Sequence, residues 1–542
     1  MKHRLVTAAL GSLVAIGTAV ALAACAPTAP ASTAAASSGP SDATLTIGTT
    51  TDVVNYNPLI GNSRTDDWVT DLMYPRLMTV SNTGSKESQL ATKWGYTSPT
   101  EGYYDIRSDM TWSDGQPLTA EDVAWTLNAV KNDKPSGTFY GQMADFASAK
   151  ATSKTHVEIT LSAPDSSILE EIGFWGVIVP EHVFSKAGSV ATFANDGKSG
   201  GWVGAGPYTL SKVQVGQSYT LDRVKNYPLV TGGVPNAAKI VYRVFPDINT
   251  EILALQSGEI DAIGDALPPT QVAKLKSTSG IQVEEAAGLG YSHLVYNMDN
   301  ADLAKLQVRQ ALSHAVDYDA IRSVVLQGQA TNDQSSPIMP VLKKYFDSSI
   351  KEYSYDPKEA ESLLEQAGYT KGADGKFPLN FKLIYSLQDA VTSQWVTIVR
   401  DDAAKAGITI TLAGTDRNTY LAATNAGKYD IYAGNFAIMD DPVTNFTLAY
   451  LPGGSINYTH VNDATLNGLI KQGANTTDEA KKVSIMQQAN KLVHDNVYDN
   501  ILYTQNLYFA HSSKWTGFVP MPSDLLSIVN PVSVASAHPT TK

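Results

Sequence analysis

The chain has 542 residues, 43% of them hydrophobic, with 40 Lys and Arg against 53 Asp and Glu, a formal charge of −13. Acidity of this size lacks the basic footprint of a nucleic-acid binder, so no nucleic acid is expected as a partner. A single cysteine excludes internal disulfides and leaves stability to an apolar core, which a chain of this length buries easily.

Taken in order, the chain starts with Lys2 and Arg4, continues with an apolar run from Leu5 to Ala21, and reaches Leu22-Ala23-Ala24-Cys25. That three-part layout is an export signal. Its final four residues resemble the lipobox of bacterial lipoproteins, which implies cleavage after residue 24 and lipid on Cys25. Acyl chains would then tether the protein outside the cytoplasmic membrane, at about 0.8 kcal/mol per buried methylene. No later apolar run approaches about 18 residues, so no second span is expected. Residues 25–43 are, apart from Cys25 and Asp42, Ala, Ser, Thr, Pro and Gly without an aromatic, the composition of a flexible spacer.

From Thr44 the chain alternates strand-like and helix-like segments. Thr44-Leu-Thr-Ile-Gly reads as a strand, and Asp66 to Leu77 places Trp68, Leu72, Met73 and Leu77 at helical spacing. Tyr103-Tyr-Asp-Ile-Arg and Val157-Glu-Ile-Thr-Leu are again strand-like. Asp114-Gly115 and Pro117 predict a turn. Thr119 then caps a helix with Glu121 and Asp122 in its first turn and Val123, Leu127 and Val130 on one face. Further on, Asp356, Pro357, Glu359 and Gly368 mark the cap, first turn and stop of another helix.

The stretch from Trp112 through Ser-Asp-Gly and Pro-Leu-Thr-Ala-Glu-Asp-Val resembles the signature of family 5 extracytoplasmic solute-binding proteins, the dipeptide-, oligopeptide- and nickel-binding components of ABC importers. Gly204-Ala-Gly-Pro-Tyr208, Arg223 with Asn226-Tyr-Pro228, Leu255-Gln-Ser-Gly-Glu-Ile-Asp261, Val308-Arg-Gln-Ala-Leu312 and Tyr355 to Tyr369 follow in that family's order. The resemblance implies an α/β fold, a periplasmic-binding-protein-like class II two-lobed clamp with an extra inserted domain. The first lobe is expected at residues 44–78, 204–286 and 505–542, the inserted domain at 79–203 and the second lobe at 287–504. Crossings near Ala286-Ala287 and Thr504-Gln505 would form the hinge, with Gly288 and Gly290 absorbing rotation. The protein is expected to act as a monomer that takes up a peptide between its lobes. It would dock on permease subunits served by separate ATPase subunits.

In such relatives an aspartate on the second lobe pairs with the peptide's amino end. The corresponding segment here, Tyr429 to Pro442, has Ile438 at that position, with Asp440 and Asp441 later. Asp440, Asp441, Asn435 and Phe436 are therefore the expected ligand contacts, with Asn55 and Asn57 from the first lobe. Asp440 and Asp441 could equally be solvated or cap the following segment. No cofactor or metal is expected, since no hydrolase elbow, zinc motif or P-loop occurs. An oligosaccharide, a nickel chelate, or a lipid-anchored hydrolase with a carboxylate pair stand as alternatives.

Overall fold

The strand expected at Thr44 forms as Thr44–Thr49, with Leu45 and Ile47 fully buried. The computed structural model describes residues 40–61, 63–198, 201–331, 336–523 and 525–540. Cys25, the signal and residues 25–39 of the spacer lie outside the described residues. No helix among the described residues is long and apolar enough to cross a membrane.

Among the described residues a twelve-stranded sheet joins two lobes. Its first half, in spatial order, is Tyr208–Gln214, Ser218–Arg223, Lys239–Val244, Thr44–Thr49 and Ala262–Ile263. Its second half is Tyr291–Tyr296, Ile431–Phe436, Asn380–Ser386 and Thr409–Thr415. The long strand Asn500–Ser512 belongs to both. Its residues 500–503 pair with Tyr291–Tyr296, and residues 506–512 pair with Ile281–Ala287. Strand pairing thus changes from one half of the sheet to the other at two crossings, residues 288–290 and near residue 505. A separate four-stranded sheet, Ala91–Ser98, Glu101–Ile106, His156–Leu161 and Phe146–Ser153, carries the helix Ala120–Asp133. Its Val123, Leu127, Phe146 and Ile159 share one apolar cluster with Leu45, Tyr208 and Ile240 of the first lobe.

Local signals act where they stand. Thr119 and Asp122 form a reciprocal capping box, and Asp356 accepts from the backbone N–H groups of Lys358 and Glu359. One helix is shorter than its apolar spacing suggests: it runs Arg64–Asp71, not to Leu77. The carbonyls of Leu72 and Met73 instead accept from Tyr208 and Gly206, and Pro75 disfavours helical backbone at the residue before it. This is also why the Gly-Ala-Gly-Pro-Tyr turn needs its glycines. A Cβ on Gly204 or Gly206 would sit 2.3 Å from the oxygen of Met73 or Leu72.

Glu251, on the helix Ile248–Ser257, lies fully buried against Gly48, with Asp265 beside its carboxyl group. Burial, and next the negative charge of Asp265, push its pKa up to about 9. The folded protein therefore holds a proton that the unfolded chain releases above about pH 4.3. Stability is lost as pH rises from there through about 9. Glu251→Gln is expected to flatten this slope, checked by denaturation midpoints of both proteins between pH 5 and pH 9.

Candidate functional site

In open α/β sheets, ligands bind beyond the carboxyl ends of the strands, where loops of different strands converge. Here the carboxyl ends of Asn380–Ser386 and Ile431–Phe436 face the two crossings, and a cavity of about 400 Å³ opens between them. The second lobe contributes Tyr291, Ser292, Asp389, Val391, Asn435 and Phe436, and the first contributes Ala266 to Pro269 and Leu507. Gly288, Gly290, Tyr503 and Gln505 of the crossing segments close it. Two larger hollows differ in kind: neither is lined by the crossing segments. One is lined by residues between Thr424 and Asn462, the other by the Trp112, Gly204 and Arg223 motifs. Those recognisable motifs therefore lie away from the cleft.

The crossing glycines answer to close packing. A Cβ on Gly290 would meet the Phe436 oxygen at 2.1 Å, and one on Gly288 the Gln505 oxygen at 2.5 Å. The cavity's polar groups lie on the second-lobe side and at the crossings. Asn435 donates from Nδ2 to Asp389 Oδ2 at 3.0 Å. Asp389 also caps the helix Ala390–Lys405, accepting from Thr392 N at 2.9 Å and Thr392 Oγ1 at 2.7 Å. Ser292 and Tyr503 face each other in register, and burial raises the Tyr503 pKa so that it remains a neutral phenol. Phe436 packs edge-on against Tyr291, ring centres 5.7 Å apart.

Of the six expected ligand contacts, the structure brings Asn435 and Phe436 to this cavity and places four elsewhere. Asn55 donates to Asp66 Oδ2 at 2.9 Å, and buried Asn57 donates to the carbonyls of Val190 and Phe193 at 2.8 and 2.9 Å. Both tie down the loop after the first strand. Asp441 caps the helix Pro442–Tyr450 through Thr444 N at 2.7 Å. Asp440 receives the ammonium of Lys86, whose Nζ also lies 4.0 Å from Glu171 and 4.1 Å from the centre of the Phe174 ring. All three ionisable side chains are at least nine-tenths buried.

Burial alone would lower the Lys86 pKa, but the Asp440 carboxylate beside it holds it above its ordinary value. Burial, with Asp440 beside it, drives Glu171 well above the carboxylate range, so Glu171 is a neutral acid. One cation faces one anion. Around them Ser166 donates from its N–H and hydroxyl to the Ala474 and Gly473 carbonyls at 2.8 and 2.9 Å, and Lys482 donates to Ser166 O at 3.2 Å. Val80 and Phe174 enter one apolar cluster with Leu289, Tyr291, Phe446 and Met486. This contact joins the smaller-sheet region to the second lobe.

Asp389, Ser292 and Tyr503 were not anticipated from the sequence, and Gln505 was expected only as part of a crossing. Asp389 carried a readable signal, an N-cap residue at the carboxyl end of a strand. Among the described residues no group of three or more His, Cys, Asp or Glu side chains could hold a metal ion.

A profile of the bacterial extracellular solute-binding proteins, family 5 (middle region), matches residues 87–458. A putative ABC transporter peptide-binding protein of Brucella ovis is 26% identical over 420 residues, covering 76% of this chain and 77% of its own. The nickel-binding periplasmic protein of Escherichia coli K12 is 26% identical over 396 residues, covering 69% and 72%. The crystal structure of the ABC transporter substrate-binding protein CtaP from Listeria monocytogenes superposes with a TM-score of 0.81 at 22% identity, covering 92% of this chain and all of that one.

Removing one partner of a buried ion pair strands the other charge. Lys86→Met is expected to cost about 3–5 kcal/mol of unfolding free energy, with Asp440→Asn in the same background restoring part of it. Urea denaturation of the three proteins checks this. Gly290→Ala forces a methyl group onto two carbonyls and should cost about 1–3 kcal/mol in the same assay.

Proposed function

The chain belongs to the bacterial extracellular solute-binding proteins of family 5, and on that premise we propose that it captures short peptides between its lobes and delivers them to an ABC importer. The observation that carries this reading is a strand edge beside the cavity. Among the described residues, Ile431–Phe436 pairs with Asn380–Ser386 only at Ile431 and Tyr432, and beyond them Asn435, Phe436 and Ala437 line the cavity. An extended peptide can add to such an edge through its backbone while its side chains fill neighbouring space. About 400 Å³ lies near the lower end of small-ligand pockets, which suits a few residues and not a long segment. No histidine or cysteine is among the described lining residues, which gives a nickel chelate little to coordinate.

Lipid on Cys25 and a spacer to residue 43 would keep the protein at the outer face of the membrane, within reach of the permease. The pocket would work by population shift: a ligand favours approach of the lobes only by what it gains there beyond the separated state. Native mass spectrometry of the purified full-length chain, followed by denaturation, tests the ligand class. Short-peptide masses are expected. A hexose-spaced ladder or a nickel complex would replace the peptide reading. Phe436→Ala should weaken peptide binding roughly tenfold by calorimetry, about 1.4 kcal/mol.

A further inference from the structure

The cavity at the crossings carries one charged side chain among its described lining residues, and that charge is negative. Asp389 accepts three hydrogen bonds: Oδ1 from Thr392 N at 2.9 Å, and Oδ2 from Thr392 Oγ1 at 2.7 Å and Asn435 Nδ2 at 3.0 Å. All three donors are neutral, so they orient the carboxylate without cancelling its charge. A carboxylate has about four acceptor positions, so one remains, on Oδ1. The amide of Asn435 must turn its nitrogen to Asp389, which leaves its own oxygen as a second acceptor beside the first. The ring of Phe436 adds a face that attracts cations.

The opposite wall offers an anion little. It is the start of the helix Pro269–Lys276, where Pro268 and Pro269 carry no N–H. The N–H of Gln271 is already bonded to the Pro268 carbonyl at 2.9 Å. Neither Lys nor Arg is among the described lining residues, so a ligand carboxylate inside the cavity would have neutral hydroxyls and amides as its only partners.

We propose that Asp389 determines specificity by receiving a protonated amine of the ligand, and that the rest of the ligand inside the cavity is uncharged. The amine is the amino end of a peptide or a basic side chain; the identity of the remainder rests on the peptide reading above. Asp389 thereby takes the work that Ile438 cannot do and that Asp440, spent on Lys86, is not free to do.

Calorimetry on the full-length chain separates the possibilities with five probes. These are trialanine amide, its N-acetyl form, N-acetyl-alanyl-lysyl-alanine amide, trialanine with a free carboxylate, and cadaverine. At least one amine-bearing tripeptide amide is expected to bind ten times or more tighter than the acetylated trialanine amide. Which one does so identifies an amino end or a side chain as the source. Trialanine is expected to bind no tighter than its amide. Asp389→Asn, which keeps the helix cap because Asn caps as well as Asp, should erase the preference for amine-bearing probes. Equal binding of the acetylated trialanine amide and both amine-bearing amides, or a preference surviving in Asp389→Asn, overturns the assignment. Cadaverine binding that requires Asp389, with no peptide bound, keeps the assignment and removes the peptide reading. Binding of no probe, cadaverine included, overturns both.

Discussion

A buried ammonium has to be paired, and the contact between the second lobe and the smaller-sheet region is organised around that requirement. Lys86 approaches Asp440 in a site from which water is excluded, with Glu171 kept neutral so that charge balances one to one. Desolvating two ions costs several kcal/mol each, so such a pair adds little adhesion. What it adds is register: the partners meet in one arrangement, and any other leaves a charge stranded. Adhesion comes from the apolar cluster around Phe174, Tyr291 and Phe446. The Ser166 and Lys482 bonds to backbone carbonyls fix the same alignment from its far side.

With Asp440 committed there, the ligand cleft is left with a different electrostatic design. Its acidic group sits on the loop after Asn380–Ser386 and is held by a cap and an amide; its other polar groups are hydroxyls and amides. The first lobe contributes proline and aliphatic surface. The two faces of the cleft therefore differ in chemistry, one polar and the other apolar. A dry wall strengthens a charge–charge contact because the effective dielectric falls.

Elements whose cause is local were legible in the sequence. Thr119, Asp356 and the glycine after Ser257 are caps and stops that need only their neighbours. Gly204 and Gly206 were visible as a motif, but their reason, two carbonyls of a helix end far back in the chain, was not. The same contact explains why the helix expected to reach Leu77 stops at Asp71. The candidate site was legible at Asn435 and Phe436, which stand at a strand end, and at the crossing residues Gly288, Gly290 and Gln505. Asp440 and Lys86 lie 354 residues apart, and no spacing rule connects them. Asp389 was hidden by its ordinary appearance as a helix cap.

The long strand Asn500–Ser512 has a consequence for the life of the chain before it is folded. Ala262–Ile263 is held between Thr44–Thr49 and this strand, and Trp68 donates its indole N–H to the Leu525 carbonyl at 2.5 Å. The first segment of the first lobe thus finds its final partners only after some 450 further residues have been made. Contacts of such sequence separation form late and slowly. While synthesis continues, the sheet of the first lobe lacks the strand that completes it. A first lobe left incomplete in this way, by topology and not by a separate device, would be in a suitable state to be threaded through a membrane.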